Sequence, residues 1–127
     1  MKIFGIGTDI VEVSRIKKNM KNRSIITRLF TKDEIVKCNK TKKNFNCFAK
    51  RFAAKEAFSK ALGTGISKGI KFNEIAILNE KNGKPFIKLV DNTKKIVEKK
   101  IKKKKYKISL SLTDETNYAV AFVTISV

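Results

Sequence analysis

Residues 51–65 constrain the fold most strongly, because their composition favours a helix that carries charge within its apolar surface. Alanine, leucine, lysine and glutamate are good helix formers, and Gly63 suits the position just past a helix end. We expect Asn44 or Asn46 to cap the start of this central helix. At 100° per residue, one broad arc carries apolar and polar side chains together: Phe45, Phe48, Phe52, Phe58 and Leu62, with Arg51, Lys55 and Ser59 among them.

Charge within an apolar arc is unusual, since an amphipathic helix normally keeps its charges on the opposite side. The central helix therefore either presents charge to a partner, such as a neighbouring subunit facing Arg51 and Lys55, or lines a site. Glu56 lies on the edge of the arc, one turn before Lys60. Taken alone, this pair is more typical of a solvent-exposed ion pair worth about 0.3–0.5 kcal/mol.

The composition predicts one compact domain over residues 1–127 with an acidic partner. Hydrophobic residues make up 42% of the chain, which is enough for a real core. Thirty basic residues against eleven acidic ones give a formal net charge of +19. Nucleic acid, an anionic membrane surface, an acidic protein and a polyphosphate ligand all fit this charge, although a general preference for Lys, Asn and Ile explains part of it.

The chain has no His, and Cys38 and Cys47 lack the CxxC spacing. A zinc site and the Ser-His and Cys-His nucleophile pairs are therefore not expected. There is no apolar run of about 18 residues and no signal-peptide pattern. We expect a cytoplasmic protein with reduced thiols and no membrane insertion, whose chemistry uses carboxylates, lysines, metal ions and backbone amides.

The other elements are predicted from local signals. Residues 2–13 read as a strand, residues 14–22 as a basic helix capped by Ser14, and Thr31 with Glu34 as a capping box that starts another short helix. Later elements follow in order: a hairpin turning at Asn82-Gly83 between strands 72–78 and 86–90, a helix capped by Asn92 or Thr93, and strands 108–112 and 118–127. Together they predict an α+β fold with a mostly antiparallel sheet packed on the central helix.

Two features allow both a structural and a functional interpretation. Asp9 lies among apolar strand residues, where a carboxylate either bonds backbone amides in a turn or ligates a metal ion at the strand end. The loop that starts at Gly63 has three glycines in seven residues. It either ends the helix and changes the chain direction or closes its backbone amides on a phosphate.

Four segments resemble bacterial holo-acyl-carrier-protein synthase, in that family's order and spacing: residues 4–15, 48–65, 82–85 and 109–115. The family belongs to the 4′-phosphopantetheinyl transferases. The resemblance implies transfer of the phosphopantetheine arm of coenzyme A to a serine of acidic apo acyl carrier protein, in support of fatty acid biosynthesis. It also implies a homotrimer with active sites between subunits, in which Asp9 approaches the Glu56 of a neighbour.

The same resemblance implies a role for individual residues. Asp9 and Glu56 would hold Mg²⁺ on the pyrophosphate of coenzyme A, Lys60 would contact the phosphates, and either a metal-bound water or Glu56 would take the serine proton. The nucleotide and its phosphates would be bound by Arg51 and the Gly63-Thr64-Gly65 loop, with Lys84 and Pro85 nearby. Arg15 would contact the carrier protein, on a basic face that it shares with Lys17, Lys18 and Lys21.

Two features fit the family less closely. Many relatives have a His where this chain has Asp114, while others share its Asp-Glu sequence, so the nucleotide contact made by that His does not carry over to this chain. Residues 99–105 are lysine except for Ile101, which suits a solvated helix end or nonspecific anion binding. A basic nucleic-acid-binding protein would expose aromatics among its basic residues, whereas the nine Phe mostly follow core spacing, and a membrane-associated role for residues 14–22 is a further alternative.

Overall fold

The computed structural model describes residues 1–127 as five strands, five α-helices and one 3-10 turn. In chain order the elements are β1 (Ile3–Glu12), α1 (Val13–Asn19), α2 (Arg23–Leu29), α3 (Lys32–Asn39), α4 (Asn44–Leu62), the 3-10 turn (Phe72–Glu74), β2 (Ile75–Asn79), β3 (Pro85–Leu89), α5 (Asp91–Ile101), β4 (Lys107–Asp114) and β5 (Tyr118–Ser126). All strand pairs are antiparallel, in a three-stranded sheet of order β1-β5-β4 and the separate β2-β3 hairpin. The predicted hairpin is present, although residues 72–74 form the 3-10 turn instead of a strand.

Helix α4 packs directly against β1, because two glycines leave room for its backbone. A Cβ atom on Gly5 would overlap the carbonyl oxygen of Ala61, and one on Gly7 would overlap that of Ala57. Side chains alternate between the two faces of a strand, so Asp9 lies on the same α4-facing side as these glycines. The close helix–strand contact therefore places Asp9 beside the last turns of α4.

The mixed apolar and polar arc predicted on α4 is buried within the chain. Phe48, Phe58 and Leu62 are no more than 1% exposed, and Arg51 and Lys55 no more than 4%. Gly63 ends the helix in the left-handed conformation, with φ of 89°. The predicted end of this helix is thus confirmed, and its charged residues have to find partners inside the fold.

Helix N-caps were predicted correctly only at α3, where Thr31 and Glu34 form the expected capping box. No side chain caps α1, α4 or α5, so the caps expected from Ser14, Asn44 or Asn46, and Asn92 or Thr93 were wrong. Tertiary contacts explain two of these errors. The Thr93 hydroxyl donates to the Glu74 carboxylate, and the Asn46 amide donates to Asp114. Helix α2, which is capped by Asn22, was not predicted as a helix.

Cys38 on α3 and Cys47 on α4 form a disulfide, so the expectation of reduced thiols was wrong. Their sequence spacing gave no sign of this bond, because the turn between α3 and α4 is what brings their Cα atoms to 5.5 Å. No helix combines the length and the apolar character that crossing a bilayer requires.

Candidate active site

Asp9, Glu56 and Lys60 meet where β1 packs on α4. Lys60 Nζ donates to Asp9 Oδ1 at 3.1 Å and to the Thr8 carbonyl oxygen at 3.0 Å. The Asp9 side chain is 17% exposed and the Lys60 side chain 52%. We call Asp9, Glu56 and Lys60 the acidic cluster, since it holds two carboxylates and one ammonium group. Its carboxylates interact within one chain, whereas the family resemblance implied that Asp9 approaches the Glu56 of a neighbouring subunit.

The pKa of the Glu56 carboxyl in the acidic cluster is raised above its ordinary value. Partial burial is the main cause, repulsion from Asp9 adds to it, and the positive charge of Lys60 opposes it. When both carboxylates are ionised, the cluster carries two negative charges against the one positive charge of Lys60. Such a site gains free energy from a cation.

The donor set of the acidic cluster suits Mg²⁺, a hard cation that prefers oxygen ligands. No group of three or more His, Cys, Asp or Glu side chains in the chain is arranged to hold a metal ion, so the protein would contribute only the two carboxylates. Mg²⁺ commonly takes one or two protein carboxylates and completes its shell with water and substrate phosphate oxygens. Asp9 and Glu56 together therefore fit the ion that the sequence predicted for them.

The glycine loop after α4 turns its backbone amides inward. The amides of Gly63, Thr64 and Gly65 all donate to the Ser59 carbonyl oxygen, at 3.1, 3.2 and 3.2 Å. These bonds satisfy the end of the helix, in agreement with the structural interpretation of this loop. Phosphate binding by the three residues stays a prediction, and it requires the amides to exchange their present acceptor.

Arg51 lies under a groove of about 590 Å³ whose lining is strongly basic. We call it the basic groove; its cationic residues are Lys37, Lys42, Lys43, Lys50 and Arg51. Arg51 Nη2 donates to Asn79 Oδ1 at 2.7 Å and Nη1 to the Cys47 carbonyl oxygen at 3.3 Å, whereas its buried Nε has no partner. Burial lowers the pKa of Arg51, and the Glu34 charge opposes this. A buried guanidinium with a free donor suits an anionic ligand.

The β2-β3 turn, which holds Lys84 and Pro85, borders the basic groove through Asn79 and Gly83. Asn79 pairs with Pro85 across the β2-β3 hairpin, and its side-chain amide donates to the Gly83 carbonyl oxygen at 3.0 Å. Lys84 lies between Gly83 and Pro85 in the sequence. Asn79 thus connects Arg51 to Lys84 and Pro85, a role for which the sequence offered no signal.

Asp114 lines the same groove as a partly neutralised carboxylate. Its Oδ2 accepts a hydrogen bond from Asn46 Nδ2 at 3.0 Å, and its Oδ1 lies 3.4 Å from Lys50 Nζ. Asn46 also donates to the Glu115 carbonyl oxygen at 2.8 Å. Asp114, Asn46 and Lys50 therefore connect the β4-β5 turn to the start of α4. Of these three residues, the sequence pointed only to Asp114 as part of this site.

Arg15 and Lys18 lie on α1, both exposed and without an ion-pair partner in the chain. Because α1 follows β1 without a break, it begins four residues after Asp9. The predicted partner-binding residues thus follow directly after the strand that carries Asp9. Arg51 and Lys55, by contrast, do not face a neighbouring subunit, since Lys55 contacts Glu34 of α3 and Arg51 contacts Asn79.

The fold and the acidic cluster can be compared with known proteins. Residues 5–123 match the family model described as ACPS, the 4′-phosphopantetheinyl transferase superfamily. The chain belongs to this superfamily. Asp9, Glu56 and Lys60 all lie within the matched range, as do the residues of the basic groove.

Individual members of the superfamily resemble the chain over nearly its whole length. The holo-[acyl-carrier-protein] synthase of Pelagibacter ubique is 47% identical over 123 residues, covering 97% of this chain and 96% of the relative. The crystal structure of the Neisseria meningitidis synthase gives a TM-score of 0.85 at 37% identity, with 98% of each chain covered. The Helicobacter pylori synthase in complex with coenzyme A gives a TM-score of 0.79 at 31% identity, covering 95% of this chain and 99% of that one. The predicted α+β class and family are confirmed.

Proposed function

We propose that this protein transfers the 4′-phosphopantetheine arm of coenzyme A to a serine of apo acyl carrier protein, in support of fatty acid biosynthesis. The observation that carries the proposal is the acidic cluster, in which Asp9, Glu56 and Lys60 meet within a fold of the phosphopantetheinyl transferase superfamily. The solved complexes of similar synthases with coenzyme A support the choice of donor. We infer that residues 1–127 act as one transferase domain.

The reaction replaces a phosphoanhydride bond of coenzyme A by a phosphodiester bond to serine. The serine hydroxyl loses its proton and its oxygen forms a bond to the phosphopantetheine phosphorus, while the pyrophosphate P–O bond breaks and releases adenosine 3′,5′-bisphosphate. Bound Mg²⁺ would supply charge neutralisation on the phosphates. Asp9 and Glu56 would hold that ion, and Lys60 would neutralise further phosphate charge.

Glu56 is our candidate for the group that takes the serine proton. A carboxylate whose pKa lies above the ordinary value accepts a proton more readily than a solvent-exposed one at the same pH. The chain has no His to perform this step. A metal-bound water remains the alternative acceptor, and both alternatives require Glu56.

The nucleotide end of coenzyme A would occupy the basic groove. Its lysines and Arg51 suit phosphate groups, and the Lys84-Pro85 turn lies at its edge through Asn79. Gly63, Thr64 and Gly65 follow the helix turn that carries Lys60, where they would adjoin the phosphates. The carrier protein, which is acidic, would meet Arg15 and Lys18 on α1.

A homotrimer is supported by the sheet face opposite α4. Large apolar side chains are exposed there, including Ile6 at 60%, Ile10 at 64% and Phe122 at 46%. An apolar surface of this kind in a chain with a net charge of +19 is typical of a protein–protein contact. Light scattering coupled to gel filtration would test the trimer, and a monomer at assay concentration would contradict it. The cytoplasmic location stays a prediction.

One assay tests the proposed function. The protein is incubated with apo acyl carrier protein, coenzyme A and Mg²⁺, and the carrier protein is weighed by mass spectrometry. The expected result is the mass gain of one phosphopantetheine arm, which EDTA abolishes and excess Mg²⁺ restores. A carrier protein of unchanged mass would contradict the proposal, and transfer that resists EDTA would contradict the role of the metal.

A further inference from the structure

Glu34 and Lys55 form an ion pair that is wholly removed from solvent. Both side chains are 0% exposed, and Lys55 Nζ lies 2.6 Å from Glu34 Oε1. The Lys55 ammonium also donates to the carbonyl oxygens of Leu29 at 2.7 Å and Phe72 at 2.9 Å. Its three protons therefore each have an acceptor.

The Glu34 carboxylate is equally saturated. Its Oε1 accepts the Thr31 amide at 2.8 Å in addition to the Lys55 ammonium, and its Oε2 accepts the Ile77 amide at 3.2 Å. We call Glu34, Lys55 and these backbone partners the buried knot. It joins the end of α2, the start of α3, the 3-10 turn and β2 to one residue of α4.

The buried knot adds to the directional contacts of α4, in which Asn46, Arg51 and Lys60 also form hydrogen bonds with other elements. Along β1 the helix packs against Gly5 and Gly7, which have no side chains to interlock with it. Apolar core contacts are not directional, so they oppose separation more than rotation about the helix axis. The hydrogen bonds of Lys55 have fixed directions and tolerate little rotation.

Rotation of α4 matters because Lys55 and Glu56 are consecutive residues. Side-chain ends lie about 5–6 Å from a helix axis, so a rotation of about 10° moves a carboxylate by about 1 Å. A misplacement of about 1 Å is enough to cost about 100-fold in rate. A restraint one residue from Glu56 therefore acts directly on the distance between Glu56 and Asp9.

We propose that Glu34 and Lys55 are positioning residues for phosphopantetheine transfer, because the buried knot fixes the rotation of α4 that holds Glu56 against Asp9. This inference rests on the proposed function. Stability alone does not explain the pair, because buried ion pairs are often no more stabilising than apolar residues of similar volume. Unlike apolar contacts, the hydrogen bonds of the buried knot have fixed directions and so restrain the rotation of α4 about its axis.

The test uses the double variant Lys55→Met with Glu34→Gln, which removes both charges while retaining similar volume and an oxygen for the Thr31 amide. Three quantities are measured at a temperature where each protein is fully folded: kcat, KM for coenzyme A, and the affinity for Mn²⁺ by calorimetry with adenosine 3′,5′-bisphosphate present. The single variant Glu34→Gln repeats the test with less change in volume. Ile101→Ala, a buried residue of α5 outside the site, controls for lost stability.

We expect kcat of the double variant to fall about 10- to 100-fold and its Mn²⁺ affinity to weaken by at least about threefold, with a smaller change in KM. Ile101→Ala should retain wild-type values for all three despite a lower melting temperature. Wild-type kcat and Mn²⁺ affinity in the double variant would overturn this inference alone. An equal loss in Ile101→Ala would also overturn it, since it would assign the effect to stability.

A wild-type protein that neither turns over nor binds Mn²⁺ would overturn the proposed function, and the inference with it. The two failures are distinguishable. Failure of the proposed function is measured on the wild type, whereas failure of the inference is measured as the ratio between the variants and the wild type. If the double variant does not fold, Glu34→Gln decides by the same criteria. If neither folds, the knot serves folding as a whole and the positioning role is rejected.

Discussion

Lys55 and Glu56 are neighbours on α4, yet they belong to two opposite kinds of ionic cluster. In the buried knot, one ammonium meets one carboxylate, neither is exposed, and every polar group has a partner. In the acidic cluster, two carboxylates share one half-exposed lysine. The knot is electrically neutral and complete, whereas the acidic cluster has an excess negative charge and an open side.

This difference separates a group that holds the structure from a group that can bind a ligand. Burial lowers the pKa of Lys55 to about 8, although Glu34 stabilises its charge, while burial and Asp9 raise the pKa of Glu56. An ion pair whose polar groups all have partners has no charge left to bind a substrate. An incomplete one gains free energy when a cation arrives, and that gain is available for binding.

The largest effect is expected from breaking the buried knot on one side only. Lys55→Met leaves the Glu34 carboxylate buried without its cation, which should cost about 3–5 kcal/mol of unfolding free energy. Urea denaturation followed by circular dichroism measures it. The control is Lys99→Met, an exposed lysine of α5 whose replacement should leave the urea midpoint unchanged. If both variants unfold at the wild-type midpoint, the knot does not support the fold.

A substitution in the acidic cluster should reduce activity without reducing stability. Glu56→Gln should reduce kcat about 100- to 1000-fold, since a charge that acts on the transition state is removed. The melting temperature should not fall, because the substitution also removes a repulsion with Asp9. Turnover is measured by mass spectrometry and unfolding by calorimetry, with Glu98→Gln on α5 as the matched control. A variant that keeps most of its activity would remove Glu56 from both the metal and the base roles.

The pH dependence of stability should show the same repulsion. The folded-state pKa of Glu56 is raised above its ordinary value, so the folded chain keeps this proton to a higher pH than the unfolded chain does. The resulting stabilisation is complete below the unfolded-state pKa and is lost as the pH rises through the folded-state pKa. Without metal, the wild type should therefore lose stability relative to Glu56→Gln as the pH rises from the ordinary glutamate pKa through the raised folded-state pKa. Parallel melting curves for the two proteins would contradict this.

The buried knot also shows which contacts of a residue can be predicted from the sequence and which cannot. Glu34 was predicted through its capping box, which depends on residues three positions apart and is therefore visible locally. Its contacts with Lys55 and Ile77 span 21 and 43 residues, and no local pattern encodes them. Lys55 was noticed as a charge in an apolar arc but was assigned to a neighbouring subunit, since the sequence did not show which element covers that arc.

The acidic cluster was predicted more completely than the basic groove, for a similar reason. Asp9 and Glu56 stand out as carboxylates in apolar surroundings, and the family motifs include both. Asn46 and Asn79 organise the groove through Asp114 and Arg51, which lie 68 and 28 residues away, and no local pattern shows these contacts. The Cys38–Cys47 disulfide was missed because pairing depends on the angle between α3 and α4.

The smallest effect is expected from charges that belong to neither cluster. Arg15 and Lys18 are exposed and unpaired, so they do not contribute to the fold as the buried knot does. Exposed charge pairs are typically worth about 0.2–1 kcal/mol, so Arg15→Glu or Lys18→Glu should raise KM for the carrier protein by about 1.4- to fivefold. Added salt should reduce this difference, because it screens the same charges.

The control separates a docking face from net charge. Lys103 is also exposed, but it lies near Lys107, which is at the end of the sheet where β1 begins. Six residues of strand, about 20 Å, separate that end from Asp9. Lys103→Glu changes the net charge as much as Lys18→Glu does, so an equal rise in KM would mean that the protein attracts its acidic partner by overall charge. A rise confined to α1 would assign the docking face to Arg15 and Lys18, because only their position would then distinguish them from the many other cations of this chain.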